Sequence, residues 1–163
     1  MESVGLYLQK EAVTRSDLTE KDHFGRSSYT RYYYATFLLV RDMFRAMNPD
    51  WARVGHADYP PILDATIYRR LEKDRYRALR IKDYELANEI GRAKVSCKEL
   101  AALMRKGYAI RVTADYFPEV QIDFFSGERF KLNSVSINDA HDWPARARLH
   151  SLKILNAWKQ LND

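Results

Sequence analysis

The sequence predicts a mainly α-helical protein with one short β-hairpin before its last helix. Apolar residues recur at intervals of three and four along most of the chain, and they alternate with polar residues near positions 120–132. The chain has 163 residues, of which 46% are hydrophobic, and no long linker rich in glycine or proline divides it. We therefore expect residues 1–163 to fold as a single domain around one core.

In the first half of the chain, the apolar spacing predicts three helical regions. A weak stripe covers residues 4–12, and the clearest helix begins at a serine N-cap, Ser27 or Ser28, and ends at Asn48-Pro49. The proline-rich segment that follows predicts an irregular connection. Helical spacing resumes over residues 62–90 and leaves open whether they form one helix or two.

The second half begins with a helix and continues into the hairpin. Residues 96–99, Ser-Cys-Lys-Glu, fit a capping box, in which the serine hydroxyl and the glutamate carboxylate each accept a hydrogen bond from a free backbone N–H. A helix is therefore predicted from about Ser96 to a point before Pro118. The hairpin is predicted as an insertion over about residues 119–133, with its turn at Ser126-Gly127.

The last helix is predicted from apolar residues spaced along positions 140–161. Trp143 and Trp158 lie on its apolar face, and we expect both rings to pack against the helix that ends at Asn48-Pro49. Pro144 must lie in the first turn of this helix or kink it.

Composition excludes several classes of protein. Cys97 is the only cysteine, so an intrachain disulfide and a cysteine-based zinc site are both excluded. No segment has the length and apolar character of a signal peptide or a membrane span. The sequence therefore predicts a cytoplasmic protein with no metal, no cofactor and no membrane partner.

The net charge of +5 is concentrated in one segment. Between positions 69 and 82, seven basic residues face only two acidic ones; the basic residues are Arg69, Arg70, Lys73, Arg75, Arg77, Arg80 and Lys82. We predict that Arg69, Arg70, Arg77 and Arg80 contact phosphate groups of RNA, because a basic stripe lowers the free energy of approaching a phosphate backbone. The alternative is an ordinary solvated helix face.

Three short patches occur in an order that is typical of one protein family. The first patch is residues 28–37, SYTRYYYATF, followed by Arg41-Asp42; the second is Gly55-His56, and the third is residues 111–116, RVTADY. Together they resemble a bacterial branch of the HEPN superfamily, which shows a Y-Y-A-x-F helix, a connection that contains histidine, and an R-x-x-A-D-Y helix end. The resemblance covers roughly residues 27–161, and it implies an up-down helical bundle into which the hairpin is inserted.

The resemblance also implies a function. Members of the superfamily interact with RNA, and the bacterial setting that it implies is a defence or toxin–antitoxin system, with a cognate antitoxin or a defence-complex protein as partner. Active members are metal-independent endoribonucleases with an R-x(4–6)-H motif, and two copies usually meet in a homodimer. Histidine suits proton transfer to or from RNA at neutral pH, and arginine matches the oxygens of a phosphate.

In this chain, Arg111 matches the arginine of the motif, and Tyr116 stands where the histidine is expected. The candidate catalytic residues are therefore Arg111, Tyr116 and His56, with Arg41 as a further phosphate contact. Tyr116 is suited to donating a hydrogen bond to phosphate, because the ordinary pKa of tyrosine, near 10, makes it a poor base.

Structural roles are the alternative for each of these residues. Arg111 and Asp115 have the i,i+4 spacing of a helix ion pair, and His56 suits an ordinary loop position. At the level of the whole protein, the alternative function is a catalytically inactive helical adaptor that holds a protein partner in a larger complex. The missing histidine favours this alternative.

Overall fold

The computed structural model describes residues 1–125 and 129–162, and it is 82% helical, which confirms the mainly α-helical prediction. The elements in these residues are the helices α1 (Glu2–Thr14), α2 (Leu18–Met47), α3 (Tyr68–Arg80), α4 (Tyr84–Tyr116) and α5 (Ile137–Gln160), and the strands β1 (Ile122–Phe125), β2 (Arg129–Leu132) and β3 (Val135–Ser136). The small sheet precedes the last helix, as expected. Within these residues, no helix combines the length and the apolar character needed to cross a bilayer.

The chain divides into two compact units. The first contains Met1–Phe37 and Lys106–Ala145, and the second contains Leu38–Arg105 and Arg146–Asp163. The dividing points fall inside α2, α4 and α5, so each unit is assembled from separate stretches of sequence. The single domain and the up-down bundle expected from the sequence stay predictions.

The start of α2 lies earlier than predicted, because aspartate caps it. The Oδ1 atom of Asp17 accepts a hydrogen bond from the backbone N–H of Glu20 at 2.9 Å, and the helix runs from Leu18. The prediction of a cap at Ser27 or Ser28 is therefore wrong. The Ser28 hydroxyl instead donates to the carbonyl of Gly25 at 2.6 Å, a bond that serine readily makes inside a helix.

The capping box predicted at Ser96 is also wrong, because α4 is continuous through it. The cap of α4 is Asp83, whose Oδ1 accepts from the backbone N–H of Leu86 at 3.0 Å. Ser96 is buried inside the helix. The structure also answers the question about residues 62–90: α3 ends at Arg80, and α4 begins at Tyr84.

The connection between α2 and α3 is more regular than predicted. It contains the 3₁₀ turns Pro49–Arg53 and His56–Asp58, then the helical turn Tyr59–Pro61 and the π-helix Ile62–Ile67. Proline is favoured in the first turn of a helix, where its missing N–H has no helical partner in any case. The prolines that suggested an irregular connection therefore start short helices.

The sheet of the first unit is antiparallel and has three strands in the order β1-β2-β3. Phe124 pairs with Phe130 between β1 and β2, and Leu132 pairs with Val135 between β2 and β3. The third strand was not predicted, because two residues are too few to show an alternating pattern. The turn predicted at Ser126-Gly127 lies outside the described residues.

Tyr29 joins this sheet to α2. Its buried hydroxyl donates to the carbonyl of Val135 at 2.7 Å and accepts from the backbone N–H of Leu132 at 3.1 Å. Its ring packs edge-on against Phe130. Burial raises the pKa of Tyr29 above its ordinary value, so the hydroxyl keeps its proton and both bonds persist.

Helix α1 packs against α2 at Gly5. A Cβ atom on Gly5 would lie 2.9 Å from the ring of the fully buried Tyr32, so only glycine permits this approach. The Tyr32 hydroxyl donates to Oε1 of Gln9 at 2.7 Å and lies 3.1 Å from Nδ1 of His141. These contacts hold α1, α2 and the start of α5 together.

Arg26 is a buried arginine that caps the C-terminal end of α4. Its guanidinium forms an ion pair with Asp22 and donates to backbone carbonyls at 2.6–3.4 Å. The carbonyls belong to Thr113, Ala114, Phe117, Pro118 and Val120. The last carbonyls of a helix have no partner within it, so Arg26 supplies the hydrogen bonds that the end of α4 otherwise lacks.

The core of the second unit is formed by apolar faces of four helices and the π-helix, and α2 contributes Val40 and Phe44. It includes Leu63, Ile67, Leu71, Ala78, Ala87, Ile90, Ala93, Leu100, Ile154 and Ala157. Cys97 is buried there, and burial raises the pKa of its thiol to about 12. Of the two tryptophans predicted to be buried, Trp143 of the first unit is fully buried, whereas Trp158 is half-buried and its ring packs against Trp51 at 5.7 Å.

We predict that Arg26→Met lowers the free energy of unfolding by about 3 kcal/mol, because it leaves the Asp22 carboxylate and several carbonyls without their donor. Arg45→Met on the same helix removes an exposed ion pair with Asp42 and should cost less than ~1 kcal/mol. Urea denaturation measures both. If both substitutions lowered the free energy of unfolding by the same small amount, the capping role assigned to Arg26 would be wrong.

We also predict a pH-dependent stability from His150, whose Nδ1 lies 3.3 Å from the Ser96 hydroxyl. Burial lowers the pKa of His150 below its ordinary value of 6.5; Glu99 raises this pKa, and Lys153 and Arg146 lower it further. Protonation therefore favours the unfolded chain, so the free energy of unfolding should fall as pH drops below about 6.5.

The matched variants for this prediction are His150→Gln and His23→Gln, measured by thermal unfolding between pH 8 and pH 5. His150→Gln should reduce the loss of stability at low pH. His23→Gln removes an exposed imidazole on α2 and should leave that loss in place. A loss that is unchanged in His150→Gln would contradict the assignment.

Candidate functional site

Arg111, the residue that matches the family motif, lies near the end of α4 and is mostly buried. Its Nε lies 2.7 Å from Oδ2 of Asp115, and its Nη2 donates to the hydroxyl of Tyr34 at 3.3 Å. The Nε–H is not aligned for a hydrogen bond with Asp115, so this contact is ionic. Only 18% of the Arg111 side chain is exposed.

Two tyrosine rings flank the Arg111 guanidinium. Its carbon lies 5.3 Å from the ring centre of Tyr116 and 5.8 Å from that of Tyr34, which are cation–π distances. Burial alone would lower the pKa of Arg111, but Asp115 and the two tyrosines raise it, and the net shift is upward. The structure therefore places Arg111 beside Tyr116, in a cluster where Asp115 neutralises the charge of the guanidinium.

Asp115 also links this cluster to α2, because its Oδ1 accepts a hydrogen bond from the Thr30 hydroxyl at 2.7 Å. Beside it is an open cleft of about 500 Å³. The lining residues are His23, Arg26, Ser27, Thr30, Arg31, Ala114, Asp115 and Tyr116. His23 and Arg31, which are not among the predicted site residues, thus lie in the same cleft as Tyr116.

The spacing of His23, Ser27 and Arg31 is a signal that could have identified this face. Residues four apart lie on one side of a helix, and these three lie on the side of α2 that lines the cleft. The signal was missed because the helix was predicted to begin at Ser27 or Ser28, which placed His23 outside it.

The predicted site residues are divided between the two units. Arg111 and Tyr116 belong to the first unit, whereas His56 and Arg41 belong to the second, where both are half-buried. His56 lies in the 3₁₀ turn His56–Asp58. A catalytic combination of Arg111 with His56 or Arg41 therefore stays a prediction.

The basic segment of the second unit forms α3, and two of its arginines are ion-paired. Arg70 Nε lies 2.6 Å from Oδ2 of Asp74, and Arg77 Nη1 lies 2.8 Å from Oδ1 of the same carboxylate. Only 4% of the Asp74 side chain is exposed, whereas 46% of Arg70 and 60% of Arg77 are exposed. Both arginines therefore remain accessible while one buried carboxylate holds them.

Arg69, Lys73 and Arg80 are exposed, and they form no ion pair or hydrogen bond within the part of the chain that the structure describes. Their spacing of four and seven residues places them along one line of α3, over about 16 Å at 1.5 Å per residue. Tyr76, 61% exposed, lies on the same side. We call Arg69, Lys73, Arg80 and Tyr76, with the paired Arg70 and Arg77, the α3 basic face.

The charge of the protein is unevenly divided. The second unit carries 18 Lys and Arg against 11 Asp and Glu, a net charge of +7, and the first carries 9 against 11, a net charge of −2. The α3 basic face therefore belongs to the unit that would attract a polyanion.

Comparison with protein-family models, curated proteins and solved structures gives no significant match to this chain. Among residues 1–125 and 129–162, no group of three or more histidine, cysteine, aspartate or glutamate side chains is placed to hold a metal ion.

We predict that Arg111 and Asp115 are energetically coupled by about 0.5–1 kcal/mol, because their ion pair is partly buried and supported by two rings. A double-mutant cycle with Arg111→Ala, Asp115→Ala and the double variant measures this coupling by chemical denaturation. Arg111→Lys keeps the charge but loses the planar group, so it should recover only part of the stability. A coupling near zero would show that the pair contributes nothing to folding.

Proposed function

We propose that this protein is a HEPN-like RNA-binding protein that contacts RNA phosphates through the α3 basic face. The observation that carries the proposal is the line of Arg69, Lys73 and Arg80, three exposed cations with no carboxylate partner among the described residues. Unpaired cations can release condensed counterions from RNA without first breaking an internal ion pair. The net charge of +7 on the second unit supports the same surface.

Arg70, Arg77 and Tyr76 add to this surface in different ways. Both arginines keep donors available beyond their contact with Asp74, because a guanidinium has five N–H groups. The exposed ring of Tyr76 offers a surface on which a base of single-stranded RNA can stack, which is worth roughly 1–3 kcal/mol per base. The surface thus combines phosphate contacts with a stacking position.

The family resemblance supplies the rest of the proposal. It suggests a bacterial defence or toxin–antitoxin system, a homodimer, and a cytoplasmic setting. Endoribonuclease activity without a metal belongs to the same resemblance, with Arg111, Tyr116 and His56 as its candidate residues. Cleavage of RNA in EDTA that disappears in Arg111→Ala, with the fold retained, would support that activity.

A second candidate function is the catalytically inactive adaptor, which would bind an antitoxin or a protein of a defence complex. The neutralisation of Arg111 by Asp115 and its position between two tyrosine rings favour this candidate. An arginine held in this way serves packing more readily than it serves a developing charge on phosphate.

We predict that the triple variant Arg69→Gln/Lys73→Gln/Arg80→Gln binds single-stranded RNA at least about tenfold more weakly at low salt. The slope of log affinity against log salt should also become shallower by about 2, at roughly 0.7 per phosphate contact. Fluorescence anisotropy with a labelled oligoribonucleotide, in EDTA and over a range of salt concentrations, measures both quantities.

The matched control is Lys10→Gln/Lys106→Gln/Arg129→Gln, which removes three exposed cations from the first unit and changes the net charge equally. This control should keep most of the affinity and the slope. Equal losses in the two triple variants would show that affinity follows net charge alone, and no RNA binding by the wild type would overturn the proposal.

A further inference from the structure

A small cationic pocket lies between α3 and α4 in the second unit. We call it the α3–α4 pocket; its volume is about 260 Å³, and its lining residues are Tyr68, Arg75, Gly91, Lys94, Val95 and Lys98. Tyr68 and Arg75 are seven positions apart on α3, and Gly91, Lys94 and Lys98 are three and four positions apart on α4, so each set lies on one side of its helix. None of these residues was singled out by the family resemblance.

Gly91 helps to leave this space open. A Cβ atom at this position would lie 3.5 Å from Nε of Arg75, which is ordinary contact, so a side chain here would extend into space that is now empty. Arg75 is itself fixed, because its Nε donates to the carbonyl of Ala87 at 3.2 Å. The Nη groups of Arg75 make no hydrogen bond within the described residues.

The pocket concentrates positive charge. The ammonium groups of Lys94 and Lys98 lie 4.6 Å and 4.7 Å from the ring centre of Tyr68, so two positive charges contact the same ring. Lys94 is paired with Glu72 at 2.9 Å, but Lys98 contacts no carboxylate in the part of the chain described. Three cations and one carboxylate therefore meet here, and an anion would relieve their repulsion.

We infer that the α3–α4 pocket binds a phosphate group of the RNA that the α3 basic face contacts. A guanidinium with free donors and two ammonium groups in a small, partly enclosed space suit a compact oxyanion. Tyr68 is adjacent to Arg69, and Arg75 is two residues after Lys73, but both lie at least about 100° around α3 from the line of Arg69, Lys73 and Arg80. A strand that contacts this line would therefore have to cross α3 to place a phosphate in the pocket. This inference rests on the proposed function, in which the α3 basic face binds RNA.

The central test compares Lys98→Gln with Arg92→Gln. Both remove one exposed cation from α4, but Arg92 does not line the pocket. Lys98→Gln should weaken binding of a single-stranded oligoribonucleotide by about three- to tenfold and reduce the salt slope by about 0.7, whereas Arg92→Gln should stay within about twofold of wild type. Lys98→Arg should restore most of the affinity, and thermal melts should show that all three variants fold.

The same experiment separates failure of the subsite from failure of the proposed function. If the triple variant of the α3 basic face loses affinity while Lys98→Gln does not, or if Lys98→Gln and Arg92→Gln lose it equally, the subsite is overturned and the proposed function stands. If the wild type binds no RNA, both are overturned.

Inorganic phosphate and 5′-AMP distinguish the source of the phosphate. We expect both to bind much more weakly than the oligoribonucleotide, because neither reaches the α3 basic face. If either binds as tightly as RNA, and loses that affinity in Lys98→Gln, the pocket takes a small phosphate compound and the assignment to RNA is overturned.

Discussion

The first unit depends on the contacts that the buried guanidinium of Arg26 makes with Asp22 and with the end of α4. The last carbonyl oxygens of a helix have no partner within it, and an oxygen that a neighbouring side chain shields from water is costly to leave unpaired. Arg26 donates to five carbonyls at the end of α4 and beyond it. Its partner Asp22 accepts from the backbone N–H of Ile122, the first residue of β1, at 3.3 Å. One ion pair thus fixes where α4 stops and where the sheet begins.

The position of the candidate cleft follows from this anchoring. Asp22, Arg26 and Tyr29 are spaced by four and three residues along α2, so one side of this helix holds both the end of α4 and the sheet. Asp115 and Tyr116 lie at the held end of α4. The cleft that they line with Thr30 is therefore built on fixed backbone, and a ligand there would meet side chains already in place.

The sequence predicted features that depend on local spacing, and it missed those that depend on distant partners. The apolar periodicity identified the helices, and the i,i+4 spacing of Arg111 and Asp115 predicted their ion pair. The predicted starts of α2 and α4 were wrong, because a serine hydroxyl can bond to the backbone inside a helix as well as at its end. The patterns at Ser28 and Ser96 were therefore ambiguous. The role of Arg26 was not predictable, because its acceptors lie 87–94 residues away.

The cations of this protein differ in what they are free to bind. Arg26 and Arg111 are held by carboxylates inside the first unit, and either would have to break internal contacts before it met a phosphate. Lys98 of the pocket and the exposed Arg69, Lys73 and Arg80 of α3 have no carboxylate partner among the described residues, so none of them would have to break an ion pair to bind a phosphate. Counterion release depends on cations that are exposed and unpaired, so under the proposed function RNA would be bound by the second unit. The proposed RNA contacts and the candidate residues Arg111 and Tyr116 thus lie on different units, so substitutions can test the two proposals separately.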